Sequence, residues 1–141
     1  MQRAVQVLDR LKQQVKRNAR LSFAAQERQR QAIATQLQAT EGELDASRHQ
    51  APEEEVLWLA EQHSHRLRLE LKRRQESALL HRQGEVVEQH RDAMRVATQE
   101  ARLMEILVEQ QHSEEEEERR RRENGDLDDL AIARWALRCA G

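Results

Sequence analysis

The chain reads as all-α: a long antiparallel two-helix coiled-coil hairpin whose second helix is the longer and projects past the first. Three observations predict this fold. Ala, Glu, Leu, Arg and Gln dominate, with 35% charged and 2% aromatic residues, the composition of long helices and coiled coils. Breakers are scarce, with four glycines and one proline in 141 residues, and the rest are nearly all good helix formers. Apolar residues also recur at helical spacing on both sides of the single proline. A mean hydropathy of -0.99 is compatible with disorder, but the density of helix formers favours helix. A single domain over 1–141 is expected.

The first helix is expected over about 2–48. Its stripe runs Leu8, Leu11, Val15, Ala19, then Ile33, Leu37 and Leu44, with Ser22, Gln26, Arg30 and Glu41 at the remaining steps. A step of about 3.67 residues is the eleven-residue repeat, which keeps a coil nearly straight. The narrow stripe suits one partner helix rather than a multi-helix core. Gly42 within it costs roughly 1 kcal/mol relative to Ala.

The turn is expected at 49–52. The residue before Pro52 is pushed away from the helical region, and proline suits the first turn of a new helix. Glu53, Glu54 and Glu55 would then complement the positive end of that helix's dipole.

The second helix is expected over about 53–123. Its stripe opens with Val56, Ala60, His63, Leu67 and Leu71. After a slip near Gln75 it continues through Leu79, Val86, Ala93, Ala97, Ala101, Met104 and Val108. Trp58 lies off this stripe, near the bend, as a cap or a contact residue. A fold-back at the turn exhausts the first helix when the second reaches about Leu103. The paired part is then roughly 70 Å long at about 1.5 Å per residue.

Beyond that point Glu114 to Glu118 run directly into Arg119 to Arg122. The pairs Glu115–Arg119, Glu116–Arg120, Glu117–Arg121 and Glu118–Arg122 have the favourable i, i+4 order, each contributing about 0.2–0.5 kcal/mol. A helix with no packed face needs such support. Asn124-Gly125 weakens the helix, which either continues through it slightly frayed or hinges there, with Asp126 capping a last segment over about 126–139. In that segment Leu127, Leu130, Ala131 and Leu137 share one side, broadened by Ile132 and Trp135. Asp128 and Asp129 sit near its start and Arg134 and Arg138 near its end, as the macrodipole prefers.

The net charge of -2 conceals segregation: residues 1–30 carry Arg3, Arg10, Lys12, Lys16, Arg17, Arg20, Arg28 and Arg30 against Asp9 and Glu27. With Phe23 the one aromatic among these charges, and no zinc or helix-turn-helix spacing, this is read as a solvated basic face, not a nucleic-acid footprint. Cys139 is the only cysteine, so no internal disulfide is expected. The first residues carry no signal-like apolar core, and the most apolar patch, Ala101 to Val108, is far too short to span a bilayer. A soluble, cytoplasmic protein without membrane insertion is expected.

No catalytic, metal or cofactor site is expected. His49, His63, His65, His81, His90 and His112 form no i, i+4 pair, and there is no paired-cysteine spacing, phosphate loop or serine elbow. A two-helix hairpin offers paired acids no enclosed site in which to tune a pKa. His63 and His90 fall on the expected seam, as tolerated edge residues.

The layout resembles the FliJ/YscO family, the central stalk proteins of flagellar and virulence-type type III secretion systems. The length, the two-helix layout and the Gln- and Arg-rich coil carry the resemblance over the whole chain. The most specific local match is Leu127-Asp128-Asp129-Leu130-Ala131 followed by Ala133-Arg134-Trp135-Ala136-Leu137-Arg138, similar to the family's acidic-pair, apolar, alanine and arginine finish. The Glu/Arg block and Asn124-Gly125 depart from the pattern.

The resemblance implies a non-enzymatic stalk that enters the pore of the hexameric secretion ATPase and connects it to the membrane export gate, peripheral to the inner-membrane apparatus. Arg3, Arg10, Leu127, Asp128, Asp129, Leu130, Arg134 and Arg138 would contact the ATPase. Leu44, Leu57 and Trp58 would lie at the gate-facing tip, and secretion chaperones are further candidate partners. The competing expectation is a generic coiled-coil adaptor or chaperone-escort protein without ATPase coupling.

Overall fold

The computed structural model describes residues 2–50 and 56–141. It contains two helices, α1 (Gln2–Arg48) and α2 (Val56–Ala140), which pack against each other as an all-α hairpin; the described residues include no strand. At the end of α1 the His49 amide donates to the Asp45 carbonyl at 3.2 Å, giving one of the last carbonyls a partner. The expected roles of Pro52, Glu53, Glu54 and Glu55 lie outside the described residues.

The packing falls into two units. In the unit Val15–Ala97 the buried apolar side chains are Leu44, Leu69, Val87 and Ala97, interleaved with buried Thr40, Ser47, Glu76 and Gln83. The polar members are paired across the seam. Thr40 Oγ1 lies 2.8 Å from Glu76 Oε2, Gln83 Nε2 donates to Gln26 Oε1 at 2.7 Å, and Arg66 donates to Ser47 Oγ at 3.1 Å and to its carbonyl at 2.6 Å. Such pairing makes polar burial tolerable, because each group recovers a partner for the water it loses. Arg91 covers the Phe23 ring, 5.7 Å from its centroid. On the outer surface Arg30 donates to Glu27 at 2.7 and 3.2 Å. These bonds hold the Glu27 carboxyl below its ordinary range and raise Arg30.

In the other unit, residues up to Gln14 and Thr98–Gly141, Ala101 is fully buried. Lys12 Nζ meets Glu100 Oε2 at 2.6 Å and Gln13 Nε2 donates to Glu105 Oε1 at 2.6 Å. Val5 and Gln6 share a shallow groove with Val108, Gln111, His112 and Glu115.

The structure corrects the expected periodicity. Buried and half-buried positions on α1 include Val5, Asp9, Lys12, Lys16, Ala19, Phe23, Gln26, then Ile33, Leu37, Thr40, Leu44 and Ser47, with Gln13, Ala24, Glu27 and Ala34 each one residue beyond a member of this series. On α2 they include Gln62, Arg66, Leu69, Glu76, Leu80, Gln83, Val87, His90, Met94, Ala97, Ala101, Met104, Val108, Gln111 and Glu115. Both series alternate steps of four and three, the heptad spacing of about 3.5 rather than the eleven-residue step. Leu8, Leu11 and Val15 are therefore off the seam, at 48, 54 and 49% exposure. Val56, Leu67, Leu71 and Leu79 are likewise exposed, as is His63. Ala19, Ile33, Leu37, Leu44, Ala97, Ala101, Met104 and Val108 lie on it as expected, and half-buried His90 joins them.

Val5 shares its groove with Val108, Gln111 and His112, so α1 is exhausted near His112 rather than Leu103, a shift of roughly ten residues or about 15 Å. The helix also does not break at Asn124-Gly125, since α2 is continuous to Ala140. Asp126 caps nothing, and the segment expected over 126–139 is the end of α2.

Candidate interaction surface

Past the reach of α1, the end of α2 has no packing partner among the described residues: every residue from Glu117 to Gly141 is exposed. Helicity there rests on local propensity and on side-chain pairs. Arg121 sits 3.7 Å from Glu117, Arg122 pairs with Glu118, and Arg119 reaches forward to Glu123 at 3.7 Å. The expected pairs Glu117–Arg121 and Glu118–Arg122 are thus formed. Glu116 lies 3.8 Å from His112 Nδ1.

On this end Leu127, Leu130, Ala131, Arg134, Trp135 and Arg138 line one shallow groove. The i, i+3, i+4 spacing places them on one helix face. Four of the expected contact residues, Leu127, Leu130, Arg134 and Arg138, are brought together there. Asp128 and Asp129 lie outside the lining, exposed. Arg3 and Arg10 are exposed on α1 but do not join this face. The start of α1 lies against Val108 to Glu115, and Leu127 is about a dozen residues, about 18 Å, further along α2. The expected gate-facing set is also divided. Leu44 is 3% exposed inside the seam, whereas Leu57 is 78% exposed. Trp58 is half-buried and lines a groove with Arg48, Gln62 and Arg66.

A second surface in the same unit was hidden by the assumed periodicity. Gln13 and Glu105 each follow a seam residue, and their hydrogen bond marks one flank of the two-helix seam. Leu8 and Leu107 each precede a seam residue, so in an antiparallel pair they share the opposite flank. Leu11 and Leu103 lie one step further out on it. These four leucines are between 48 and 62% exposed. The signal in the sequence is a leucine step displaced by one residue from the polar-apolar heptad.

Among the described residues, no group of three His, Cys, Asp or Glu is placed to hold a metal ion, and no helix is long and apolar enough to cross a membrane. No protein-family model, curated protein or solved structure matches the chain.

Proposed function

We propose that this chain is a non-enzymatic central stalk of a type III secretion system, binding the pore of the hexameric secretion ATPase and coupling it to the export gate. The observation that carries the reading is the unpartnered end of α2. It stays helical without a packed face and offers Leu127, Leu130, Trp135 and Arg138 on one side, within the segment whose sequence resembles the FliJ/YscO finish. The apolar side chains supply contact area, and the flanking arginines and aspartates supply orientation.

The coupling would be mechanical. A two-helix hairpin is asymmetric inside a six-fold ring, so it favours one subunit interface at a time, and the helices carry that bias toward the gate. Leu57 and Trp58, at the start of α2, are the gate-facing residues in this reading; Leu44 is not, because it is buried.

The test uses purified chain and the hexameric secretion ATPase. Full-length chain is expected to bind the ring and raise ATP turnover, and Leu127→Asp with Leu130→Asp to lose both. Unchanged binding and turnover in that variant would remove the assignment. Failure of the wild-type chain to bind at all would favour the adaptor reading.

A further inference from the structure

We infer that the end of α2 and the leucine flank beside it form a homodimerisation surface, in which α2 of one copy lies antiparallel to α2 of a second. The surface shares Trp135 and Arg138 with the face that the secretion reading gives to the ATPase, so the dimer and the ring-bound chain are alternative states; all its residues belong to one packing unit.

The chain leaves much of its surface uncovered. It exposes 11753 Å², whereas a folded monomer of 16.6 kDa is expected to expose about 7,600 Å². A standard interface removes about 800 Å² from each partner, well within that excess. Part of the apolar excess lies within this unit, on Leu8, Leu11, Leu103 and Leu107 and on Leu127 to Leu137; the rest is spread along both helices, with Val56 and Leu57 the most exposed.

Charge order selects the partner. The block of five glutamates followed by four arginines is self-complementary only in reverse. A parallel second copy in register sets Glu on Glu and Arg on Arg. An antiparallel copy can set Glu116, Glu117 and Glu118 of each chain level with Arg122, Arg121 and Arg120 of the other.

One register joins a charged pair of the block to part of the apolar end. Continuing the steps of three and four from Leu103 and Leu107 along α2 passes Gln110 and Glu114 to Glu117 and Arg121, then Asn124 and Asp128 to Ala131, Trp135 and Arg138; Leu127, Leu130, Ile132 and Leu137 lie off this line. A two-fold axis beside Arg119 places Glu117 against Arg121 of the second copy, Leu107 against Ala131, and Leu103 against Trp135. Glu100 falls against Arg138. Leu8 and Leu11, on the same flank as Leu107 and Leu103, widen the apolar patch that receives the indole. Each contact occurs twice, as an isologous interface requires.

The test is sedimentation equilibrium of the full chain across a concentration series, with Glu117→Arg and Arg121→Glu variants alone and mixed. Wild-type chain is expected to pass from monomer to twice the monomer mass. Each variant alone is expected to dimerise at least about tenfold more weakly, because two contacts per dimer turn from attraction to repulsion. An equimolar mixture is expected to recover the dimer, since the arginine introduced at position 117 of one chain then faces the glutamate introduced at position 121 of the other. Mixing cannot repair pairs within a chain, so recovery isolates the interchain contact. Leu103→Asp, which leaves the charged block intact, is expected to weaken the dimer independently. A monomer at every concentration would overturn the inference and leave the face to another partner. A dimer that ignores these substitutions, or fails to recover on mixing, would place the interface elsewhere.

Discussion

Thr40 and Glu76 meet across the seam of the hairpin, hydroxyl to carboxylate at 2.8 Å, with residue exposures of 1 and 8%. The hydroxyl has one proton and a second acceptor within reach, the Gln36 carbonyl at 3.1 Å. The carboxylate is the closer and, being charged, the stronger acceptor. Lys72 Nζ, 3.8 Å from Glu76 Oε1, supplies the neighbouring positive charge.

Removing one partner is therefore worse than removing both. Thr40→Val is expected to lower stability by about 1–3 kcal/mol, because Glu76 keeps its burial and loses a donor. Thr40→Val combined with Glu76→Leu is expected to regain most of that loss. Urea unfolding of the two singles and the double closes the cycle; additive losses would show that the contact carries no coupling energy.

Leu44 and Leu11 test the heptad seam against the eleven-residue stripe, which treats them alike. Leu44 is 3% exposed and Leu11 54%. Leu44→Ala is expected to cost about 2–5 kcal/mol, and Leu11→Ala to stay within about 0.5 kcal/mol in dilute chain. Equal losses in thermal or urea unfolding would reject the assigned seam.

The hairpin itself was legible because helix formers and the position of Pro52 do not depend on which face is buried. The seam was not. The largest apolar residues dominate the sequence pattern, and in the first third of α1 those are the leucines left outside the seam. The seam there is Val5 followed by three polar residues, Asp9, Lys12 and Lys16, and the partner of Lys12 is Glu100, distant in sequence. Longer range in the chain also explains the register error. The turn position alone could not specify which α2 residue meets Thr40, whereas the bonds to Glu76 and Ser47 do. Of the candidate site, Leu127, Leu130, Arg134 and Arg138 were legible because their spacing within one helix is local information. Leu103 and Leu107 were missed because their exposure depends on the seam.

Gly125 is helical, like the other described residues of α2, and a side chain there would meet nothing within 4 Å. No described glycine has a positive φ, so nothing in the backbone requires glycine at this position. Gly125→Ala is expected to strengthen the local helix by about 0.5–1 kcal/mol. Because the segment makes no contact with α1, the effect belongs in amide hydrogen exchange across residues 119–131 and in total helicity, not in the global unfolding midpoint. Unchanged or faster exchange there would contradict a continuous α2.

Asp9 sits half-buried in the seam, with Oδ1 shielded from solvent and without a hydrogen-bond partner among the described residues. Its heptad neighbours across the seam are Ala101, Met104 and Val108, which can offer no side-chain N–H or O–H donor. A carboxylate oxygen so placed pays for desolvation without the bond that offsets it. Asp9→Leu is therefore expected to raise stability by about 1 kcal/mol or more, exchanging an unsatisfied group for apolar contact. Asp9→Asn, which keeps the shape and removes the charge, is expected to recover only part of that gain. The comparison by urea unfolding separates the cost of the charge from the benefit of packing. A loss of stability in both variants would mean that Asp9 has a role in the seam which its unpaired oxygen does not reveal.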